Sequence, residues 1–302
     1  MSKTRQFIRR FIPQKLLVFI REMIYPEKIY LLEDKIDSLF QAHYQDLVAP
    51  DLDQKIAFKN VEFKVYSKHG GDGILAYIFS KIGATNRTFV EIGVEDGREC
   101  NTANLSLNFG WKGLMIDASE EWIRSAKNFF KEKLGGRAGN VQTVVSFVTA
   151  ENINQLFSDN SFKGDIDLLS IDIDGNDYWV WRAINTINPR VVVVEYNSAF
   201  EHHSLTIKYN PEHRYKPRQE HPLYFGASLV ALSKLAKEKG YILVACDCHG
   251  HDAFFVRKDV AEGKFAELSP KEAFYPNPHS LKKFGPLEGQ FEQMKDFEFE
   301  KI

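Results

Sequence analysis

From residue 65 onward, short apolar runs alternate with segments of helical periodicity. The clearest runs are Ile166 to Ile171 and Arg190 to Glu195, and the second contains four consecutive valines. Near-continuous apolar runs of this length are typical of strands buried on both faces of a sheet. Their alternation with helices favours a mostly parallel sheet covered by helices on both faces. The sequence therefore predicts an α/β fold.

Seven strands are predicted, and the last two form an antiparallel pair. These strands are Thr88 to Ile92, Gly113 to Asp117, Val141 to Val148, Ile166 to Ile171, Arg190 to Glu195, Tyr241 to Ala245 and Ala253 to Val256. The predicted helices are Gly73 to Ile82, Arg98 to Phe109, Glu120 to Leu134, Ile153 to Phe157, Tyr178 to Ile184 and Ala227 to Lys239. A polar, histidine-rich stretch from Ser198 to Tyr224 is longer than ordinary connectors, which makes it a candidate active-site lid.

The chain length and composition indicate one main domain with two appendages. Of 302 residues, 44% are hydrophobic and 26% are charged, which is enough apolar material for one substantial core. We expect N-terminal amphipathic or oligomerising helices in residues 1–50, the α/β domain in residues 51–260 and a C-terminal extension in residues 261–302. Four prolines in the extension suggest an extended segment that packs through its phenylalanines.

The N-terminal region combines two helical patterns. A basic amphipathic helix is predicted between Pro13 and Pro26, and a heptad-like apolar stripe runs from Ile29 to Leu39. The first helix could rest on an anionic membrane surface, dock on its own domain, or dock on a sister subunit. The second favours a homo-oligomer, so peripheral contact with the inner face of the membrane stays open beside oligomerisation.

Composition also argues against several classes of protein. A formal net charge of -2 gives no reason to expect a nucleic-acid partner. Three cysteines, Cys100, Cys246 and Cys248, are too few and too uneven for a disulfide framework and fit a reducing compartment. No segment approaches the roughly 20 apolar residues of a transmembrane helix, and no signal-peptide core is recognisable. We therefore expect a cytoplasmic location.

The first predicted strand ends in the segment Phe89-Val-Glu-Ile-Gly-Val-Glu-Asp-Gly97. Glycines at such a strand-to-helix turn let the backbone approach a ligand closely, and the helix that follows offers free amide donors. The spacing differs from the G-x-G-x-x-G loop that binds a dinucleotide pyrophosphate, so nicotinamide or flavin binding is disfavoured. Taken alone, the segment could be an ordinary turn.

Carboxylates at two further strand ends give this turn a context. Asp117 ends the second strand, where it could accept both hydroxyls of a ribose or could cap the following helix. The fourth strand runs into Asp172, Asp174 and Asp177, which could face a sulfonium and an amino group, hold a divalent metal or take a proton. Asp177 is the one we expect to cap a helix. An adenosine site without a pyrophosphate loop indicates S-adenosylmethionine.

Several segments together resemble one known family. They are Gly71-Asp-Gly-Ile-Leu75, Phe89-Val-Glu-Ile-Gly93, Asn101-Thr102, Gly110-Trp-Lys-Gly-Leu114, Thr149-Ala-Glu-Asn-Ile153, Leu168-Leu-Ser-Ile-Asp-Ile-Asp-Gly-Asn-Asp-Tyr178, Pro189-Arg-Val-Val-Val-Val-Glu-Tyr-Asn197 and Phe225-Gly-Ala-Ser-Leu229. The chain resembles the FkbM-type class I S-adenosylmethionine-dependent methyltransferases over roughly residues 66–259, and in particular their members associated with bacterial surface-polysaccharide biosynthesis. The resemblance implies a Rossmann-like class I methyltransferase fold with seven strands.

The resemblance also implies methyl transfer to a hydroxyl, in keeping with a sugar acceptor in surface-glycan biosynthesis. The cofactor residues that it suggests are Asp72, Glu91, Gly93, Gly97, Asn101, Asp117, Ala118, Ala150, Glu151 and Asp172. Among them, Glu91, Gly93 and Gly97 would line the methionine side, and Ala150 with Glu151 the adenine edge. The segment Ser67-Lys-His-Gly-Gly-Asp72 departs from the Ser-Gln-x-Gly-Glu-Asp-like pattern, which puts the contacts of the missing Gln and Glu in doubt.

The catalytic and metal residues have several candidates. Asp172, Asp174 or a lid histidine could take the acceptor proton. The lid histidines are His202, His203, His213 and His221, and His202 is preferred because it follows the fifth strand most closely. By analogy with metal-dependent catechol-type O-methyltransferases, Asp172, Glu195 and Asn197 could hold Mg²⁺ or another hard cation. The run Cys246-Asp-Cys248-His249-Gly-His251 could bind zinc or could be an ordinary turn.

Two other functions compete with this one. The first is a non-catalytic methyltransferase-fold scaffold in a glycan-synthesis complex, suggested by the altered segment near Lys68. The second is a metal-dependent hydroxylase or hydrolase, which the sequence disfavours because it shows no two-histidine, one-carboxylate set at sensible spacing.

Overall fold

The computed structural model describes residues 52–214 and 221–302. Both predicted N-terminal helices, and with them the membrane and oligomer predictions, lie outside the described residues. So do residues 215–220 of the predicted lid.

Helices and strands alternate through the described chain. The helices are α1 Gln54–Val61, α2 Gly71–Ile82, α3 Ala103–Phe109, α4 Glu120–Leu134, α5 Ile153–Asp159, α6 Asp177–Ala183, α7 Leu229–Glu238, α8 Lys258–Ala261, α9 Pro270–Ala273, α10 Pro278–Phe284 and α11 Leu287–Glu292. The strands are β1 Thr88–Ile92, β2 Lys112–Asp117, β3 Val141–Val145, β4 Gly164–Ile171, β5 Ile187–Glu195, β6 Leu205–Ile207, β7 Tyr241–Cys246, β8 Asp252–Arg257 and β9 Phe299–Lys301.

Seven of these strands form one sheet in the order β3-β2-β1-β4-β5-β8-β7. Strands β1 to β5 pair in parallel, and β8 runs antiparallel to both of its neighbours. The chain moves outward from β1 through β2 to β3 and then returns to β4 on the other side of β1. This architecture is the mostly parallel, seven-stranded, Rossmann-like α/β fold that the sequence predicts.

Each face of the sheet buries alternate residues of the same strands. On one face, Phe89 and Leu168 pack with the helices α1 to α4, and on the other, Val90 and Leu169 pack with α5 to α7. This alternation follows from the two-residue period of a strand. Because both faces are covered, β5 buries four consecutive valines at residues 191–194, and β4 buries apolar side chains on both faces from Ile166 to Ile171.

Strand register brings three chain segments to one point. Ile92 of β1 pairs with Ile116 of β2 on one side and with Ile171 of β4 on the other. The residues that follow them, Gly93, Asp117 and Asp172, therefore emerge side by side. The strand order reverses at this point, and open α/β sheets bind their ligands at such reversals.

Several boundaries differ from the sequence-based prediction, and two of the differences have a clear local reason. Helix α3 begins at Ala103 and not at Arg98, because the amides of Asn101 and Thr102 donate to the Glu91 side chain. Strand β3 ends at Val145, and residues 146–148 leave the sheet to line a cavity.

The predicted lid and the C-terminal tail are joined. Within the lid, β6 pairs antiparallel with β9 from the end of the chain, and Phe200 packs against Phe291 and Phe299. The tail packs through phenylalanines as predicted, but it contains the short helices α9 to α11, so the expectation of an extended segment was wrong. A Ser269–Glu272 capping box and prolines in the first turns of α9 and α10 start helices there.

None of the helices in the described ranges is both long enough and apolar enough to cross a membrane.

Candidate functional site

A cavity of about 360 Å³ opens at the carboxyl ends of β1, β2, β3 and β4. Five residues singled out from the sequence line it: Gly93, Asp117, Ala118, Asp172 and Asp174. The lid histidine His213 also lines it. Among the lining residues that were not predicted as site residues are Lys68, Glu95, Trp122, Phe147 and Arg214. A cavity of this size, with carboxylates on one wall and aromatic rings on another, fits a small polar molecule with an aromatic part.

Gly93 forms the floor where the turns after β1 and β4 meet. Its φ of 85° is in the left-handed region, and a Cβ built on it would stand 1.6 Å from the carbonyl oxygen of Asp172. The neighbouring amide of Asp172 donates to the carbonyl of Ile92 at 3.0 Å. Only glycine allows this approach of the two backbones.

Gly97 and Glu91 support this turn from behind and do not face the cavity. A Cβ on Gly97 would lie 2.8 Å from a ring carbon of Phe130, so this glycine lets the turn pack on α4. The Glu91 carboxylate accepts the amides of Asn101 at 2.8 Å and Thr102 at 3.0 Å, together with the Thr102 hydroxyl. Burial raises the pKa of Glu91 to about 7 despite these bonds.

The Asn101 side chain lies on the same inner layer. Its amide nitrogen is 3.2 Å from both Ser170 Oγ and Asp252 Oδ2, to which it donates. Asn101 therefore ties the start of α3 to strands β4 and β8.

Asp117 is placed for a ligand and also holds the wall. Its Oδ2 accepts the amide of Glu95 at 2.9 Å, and its Oδ1 accepts the amide of Ser119 at 2.8 Å. Ser119, not Asp117, caps helix α4 by accepting the Trp122 amide. Each carboxylate oxygen keeps a further lone pair that can face the cavity.

The turn after β4 is strained and internally bonded. Asp174 has a φ of 52°, which is unusual for a non-glycine residue and common at ligand sites. Asp177 is fully buried and accepts the amides of Ile173 at 2.8 Å and Gly175 at 2.9 Å, so it closes the turn that precedes α6. Burial raises the pKa of Asp177 to about 7.

Three more predicted cofactor residues lie outside the cavity wall. Asp72 is buried, and its Oδ2 accepts the amides of residues 65–67 at 2.7 Å, which shapes the loop that carries Lys68. The Ala150 amide and the Glu151 carboxylate are both bonded to the Tyr209 hydroxyl. These two residues therefore connect the end of β3 to the lid.

A group of charged side chains lies beside the cavity. Donor atoms of Asp172, Glu195 and His251 are within 4.8 Å of one another. Glu195 Oε1 is 2.9 Å from His251 Nε2, and Lys68 Nζ is 3.0 Å from the same nitrogen. Glu195 Oε2 is buried and has no hydrogen-bond partner among the described residues.

Charge balance explains the protonation of this group. Burial, followed by Asp172, raises the pKa of Glu195 well above its ordinary value. Burial and Asp172 also raise the pKa of Asp174 to about 6, against the effect of Lys68. Partial desolvation lowers the pKa of the Lys68 ammonium, but the surrounding carboxylates, Asp172 first, more than offset it, and the pKa is raised. Lys68 is thus a counter-charge to these acids at the cavity, which Arg214 also lines.

Asn197, predicted as a third metal ligand, is not in this group. Its side-chain amide donates to the carbonyls of Leu223 at 2.7 Å and Phe225 at 2.9 Å, and its oxygen accepts the amide of Ala199. Asn197 therefore fixes the two ends of the lid. His251, from the turn before β8, takes the third place in the group that was predicted for Asn197.

A different histidine from the predicted one reaches the cavity. His202 is exposed and has its ring 6.4 Å from Phe274, whereas His213 lines the cavity. The His213 ring lies over Gly175, where a Cβ would stand 2.4 Å from the ring. Its Nε2 is buried without a hydrogen-bond partner in the described ranges. His213 was one of the four lid histidines considered as a base, whereas no pattern marked Lys68 as a site residue in the segment Ser67-Lys-His-Gly-Gly-Asp72.

Comparisons with known proteins give solved structures alone. No protein-family model matches the chain, and no curated protein matches it. The N-terminal domain of EvdMO1 with SAH bound is 15% identical over 72% of this chain and 94% of that chain, with a TM-score of 0.42. An S-adenosylmethionine-dependent methyltransferase from Clostridium acetobutylicum ATCC 824 is 11% identical, with 73% and 98% of the chains covered and a TM-score of 0.41.

A third similar structure is the CcbJ methyltransferase from Streptomyces caelestis, which is 13% identical. It covers 62% of this chain and 93% of its own, with a TM-score of 0.38. Identities and TM-scores this low carry no inference about activity or ligand. The fold of this chain therefore rests on its strand order, and its site on the residues described above.

Proposed function

We propose that the protein is an S-adenosylmethionine-dependent methyltransferase that binds its cofactor in the cavity at the ends of β1, β2 and β4. The observation that carries this proposal is the side-by-side arrangement of Gly93, Asp117 and Asp172 on the cavity wall. A close backbone and two carboxylates suit a nucleoside that carries a cationic amino-acid tail. The cavity volume of about 360 Å³ lies in the range of small-molecule sites.

Each part of such a cofactor has a complementary group. The free lone pairs of Asp117 can accept ribose hydroxyls. The rings of Phe147 and Trp122 offer apolar surface for a base, and the Arg214 guanidinium lies 3.1 Å above the Phe147 ring. Asp172 places negative charge where an amino group or a sulfonium would be stabilised.

When bound, S-adenosylmethionine supplies an electrophilic methyl group. The protein's part is to orient the acceptor hydroxyl, exclude water and take the proton. With its pKa near 6, Asp174 is mostly ionised at neutral pH and can accept that proton, with Asp172 beside it. His213 is the histidine that could assist them, because it lines the cavity and His202 does not.

We propose that this transfer does not use a divalent cation. Asn197, the third predicted metal ligand, is bonded to the lid and does not join Asp172 and Glu195. The Lys68 ammonium already lies beside His251 and the carboxylates. An ion bound to Asp172, Glu195 and His251 would have to displace Lys68 from His251 Nε2. A lysine in this position can supply the electrostatic stabilisation that a metal gives elsewhere.

We propose that the enzyme is of the FkbM type and that its acceptor is a hydroxyl oxygen of a sugar in surface-glycan biosynthesis. Its support is the sequence resemblance over residues 66–259. A cytoplasmic, homo-oligomeric protein is the setting that we predict for it from the sequence.

The competing function is a non-catalytic scaffold with the same fold. The feature that favours it is the segment Ser67-Lys-His-Gly-Gly-Asp72, which departs from the family pattern. A scaffold need not bind the cofactor, whereas an enzyme must bind it and turn it over.

The test is methyl transfer from labelled cofactor to a panel of nucleotide sugars, glycolipids and small phenols. We expect label in a sugar acceptor, no stimulation when MgCl₂ is added to dialysed enzyme, and no turnover by the Asp172→Ala variant. The exposed Asp159→Asn variant is the matched control and should remain active. Near-normal methylation by Asp172→Ala would contradict the role assigned to Asp172 in the reaction.

A further inference from the structure

A second group of donor atoms lies where the end of helix α1 meets the turn between β7 and β8. Glu62 follows α1, and Cys248 and His249 are adjacent in the turn. A carboxylate oxygen of Glu62, Cys248 Sγ and a ring nitrogen of His249 all lie within 4.8 Å of one another. None of the three is a lining residue of the cofactor cavity, so the proposed methyl transfer leaves them unexplained.

The spacing of the two softer donors is that of ligands around one ion. Cys248 Sγ is 3.5 Å from His249 Nδ1. Zinc bonds of about 2.3 Å to sulfur and about 2.0 Å to nitrogen, at a tetrahedral angle, separate these ligand atoms by about 3.5 Å. Little movement is therefore needed to place both on one ion.

The surroundings hold the three side chains in place. Glu62 Oε1 accepts the Cys248 amide at 2.9 Å, and Glu62 packs over Gly70, where a Cβ would stand 2.7 Å from its side chain. The ring of His249 is stacked on that of His69, with centroids 4.5 Å apart and planes at 9°. Contacts that orient ligand side chains before the ion arrives raise the affinity of a metal site.

The turn itself is tightly bonded. Asp247 is fully buried, its Oδ1 accepts the His249 amide at 2.8 Å, and its carbonyl accepts the Gly250 amide at 3.1 Å. Gly250 has a φ of 66°, and a Cβ there would stand 2.4 Å from the Tyr275 carbonyl oxygen. The backbone that presents Cys248 and His249 is therefore fixed at both ends.

We propose that Glu62, Cys248 and His249 bind a zinc ion. A thiolate, an imidazole and a carboxylate form a donor set that zinc accepts, whereas hard cations such as Mg²⁺ avoid sulfur. Three protein ligands leave a fourth position for water, which can enter because the His249 side chain is 47% exposed. On binding, a Zn–S bond replaces the S–H bond, and the thiol proton passes to solvent.

The ion would join two segments that are separate in the chain. It would link the end of α1 to the turn that carries His251, whose ring lies 5.2 Å from that of His69. We therefore assign the ion a positioning role for His251 and its neighbour Lys68.

The test uses the full chain, kept reduced and stripped of metal, and titrated first with Co²⁺ and then with Zn²⁺. We expect a thiolate-to-cobalt charge-transfer band that saturates at one ion per chain and disappears as zinc replaces cobalt. Cys248→Ser should remove the band, and His249→Ala should weaken zinc binding by about 100-fold. His279→Ala, which removes an exposed histidine of α10, is the control and should bind like wild type.

Thermal melting gives a second, independent readout. Zinc should raise the melting temperature of the wild type and of Glu195→Gln, but not that of Cys248→Ser. Should Cys248→Ser fail to melt cooperatively, His249→Gln replaces it. Absence of the cobalt band in wild type, its persistence in Cys248→Ser, or its loss in Glu195→Gln would each overturn the proposal.

Discussion

The backbones of Gly93 and Asp172 are in direct contact, so close that a Cβ on Gly93 would overlap the Asp172 carbonyl oxygen at 1.6 Å. This contact joins the ends of β1 and β4, the two central strands where the sheet order reverses. The cavity floor therefore depends on the absence of one side chain.

Replacing Gly93 by alanine should destabilise the protein and abolish cofactor binding. The left-handed φ and the overlap with Asp172 together cost about 2–5 kcal/mol of unfolding free energy. Urea unfolding and cofactor titration measure the two effects. Gly289→Ala is the matched control, since its Cβ meets open space and its φ is not positive, and it should leave stability unchanged or raise it by up to about 1 kcal/mol because alanine is the better helix former.

Asp117→Asn should weaken cofactor binding by about 10- to 100-fold with a smaller effect on kcat. The carboxylate loses charge-assisted hydrogen bonds, each of which contributes about 1.5–3 kcal/mol. Calorimetry of cofactor binding measures the change. Unaltered affinity in Asp117→Asn would remove the ribose role from Asp117 and leave it as a support for the Glu95 and Ser119 amides.

Lys68→Met should lower kcat by about 100-fold, because it removes the ammonium that faces Asp172 and Glu195. Lys163→Met is the control, since Lys163 is exposed just before the start of β4, at the end of the strand opposite Asp172. Steady-state kinetics of both variants make the comparison. Equal kcat values for the two would mean that Lys68 serves structure alone.

His213 should contribute to turnover more than to cofactor binding. Gly175→Ala displaces the imidazole without strain from a positive φ, so it should mimic His213→Ala, and both should lower kcat by about 100-fold. Kinetics and cofactor affinity are measured on the two variants. Full activity in both would exclude His213 from the reaction.

Stability should fall as pH rises toward neutrality, partly because of Asp177. Burial raises its folded pKa to about 7, so its contribution is complete below its ordinary value near 3.8 and is lost as pH rises through about 7. The loss amounts to at most about 4 kcal/mol. Urea unfolding of wild type and Asp177→Asn between pH 5 and 8 measures it, with a flatter slope expected in the variant. The same slope in both would contradict the raised pKa.

Much of the fold was predictable from the sequence because the periodicity of the strands and the start and stop signals of the helices agreed. Strand β1 and helix α4 have the predicted bounds, and the parallel order follows from their alternation. The start of α3 was wrong by five residues, since the pattern alone does not reveal that Glu91 takes up the amides that would otherwise extend the helix.

The site was predictable where strand ends carry it. Gly93, Asp117 and Asp172 follow directly from the register of β1, β2 and β4. Lys68 and His213 arrive from segments without periodicity, and only tertiary contacts bring them to the cavity. Glu91 was predicted to line the methionine side, but it supports the turn from the protein interior by accepting the amides of Asn101 and Thr102.

The central claim is that the cavity binds S-adenosylmethionine, and calorimetric titration of that cofactor into the purified chain tests it most directly. We predict saturable heat with one ligand per chain in wild type, and none in Gly93→Ala that still melts cooperatively. Absence of saturable heat in wild type up to about 1 mM, the upper end of usual enzyme affinities, would contradict the account, as would wild-type binding by Gly93→Ala.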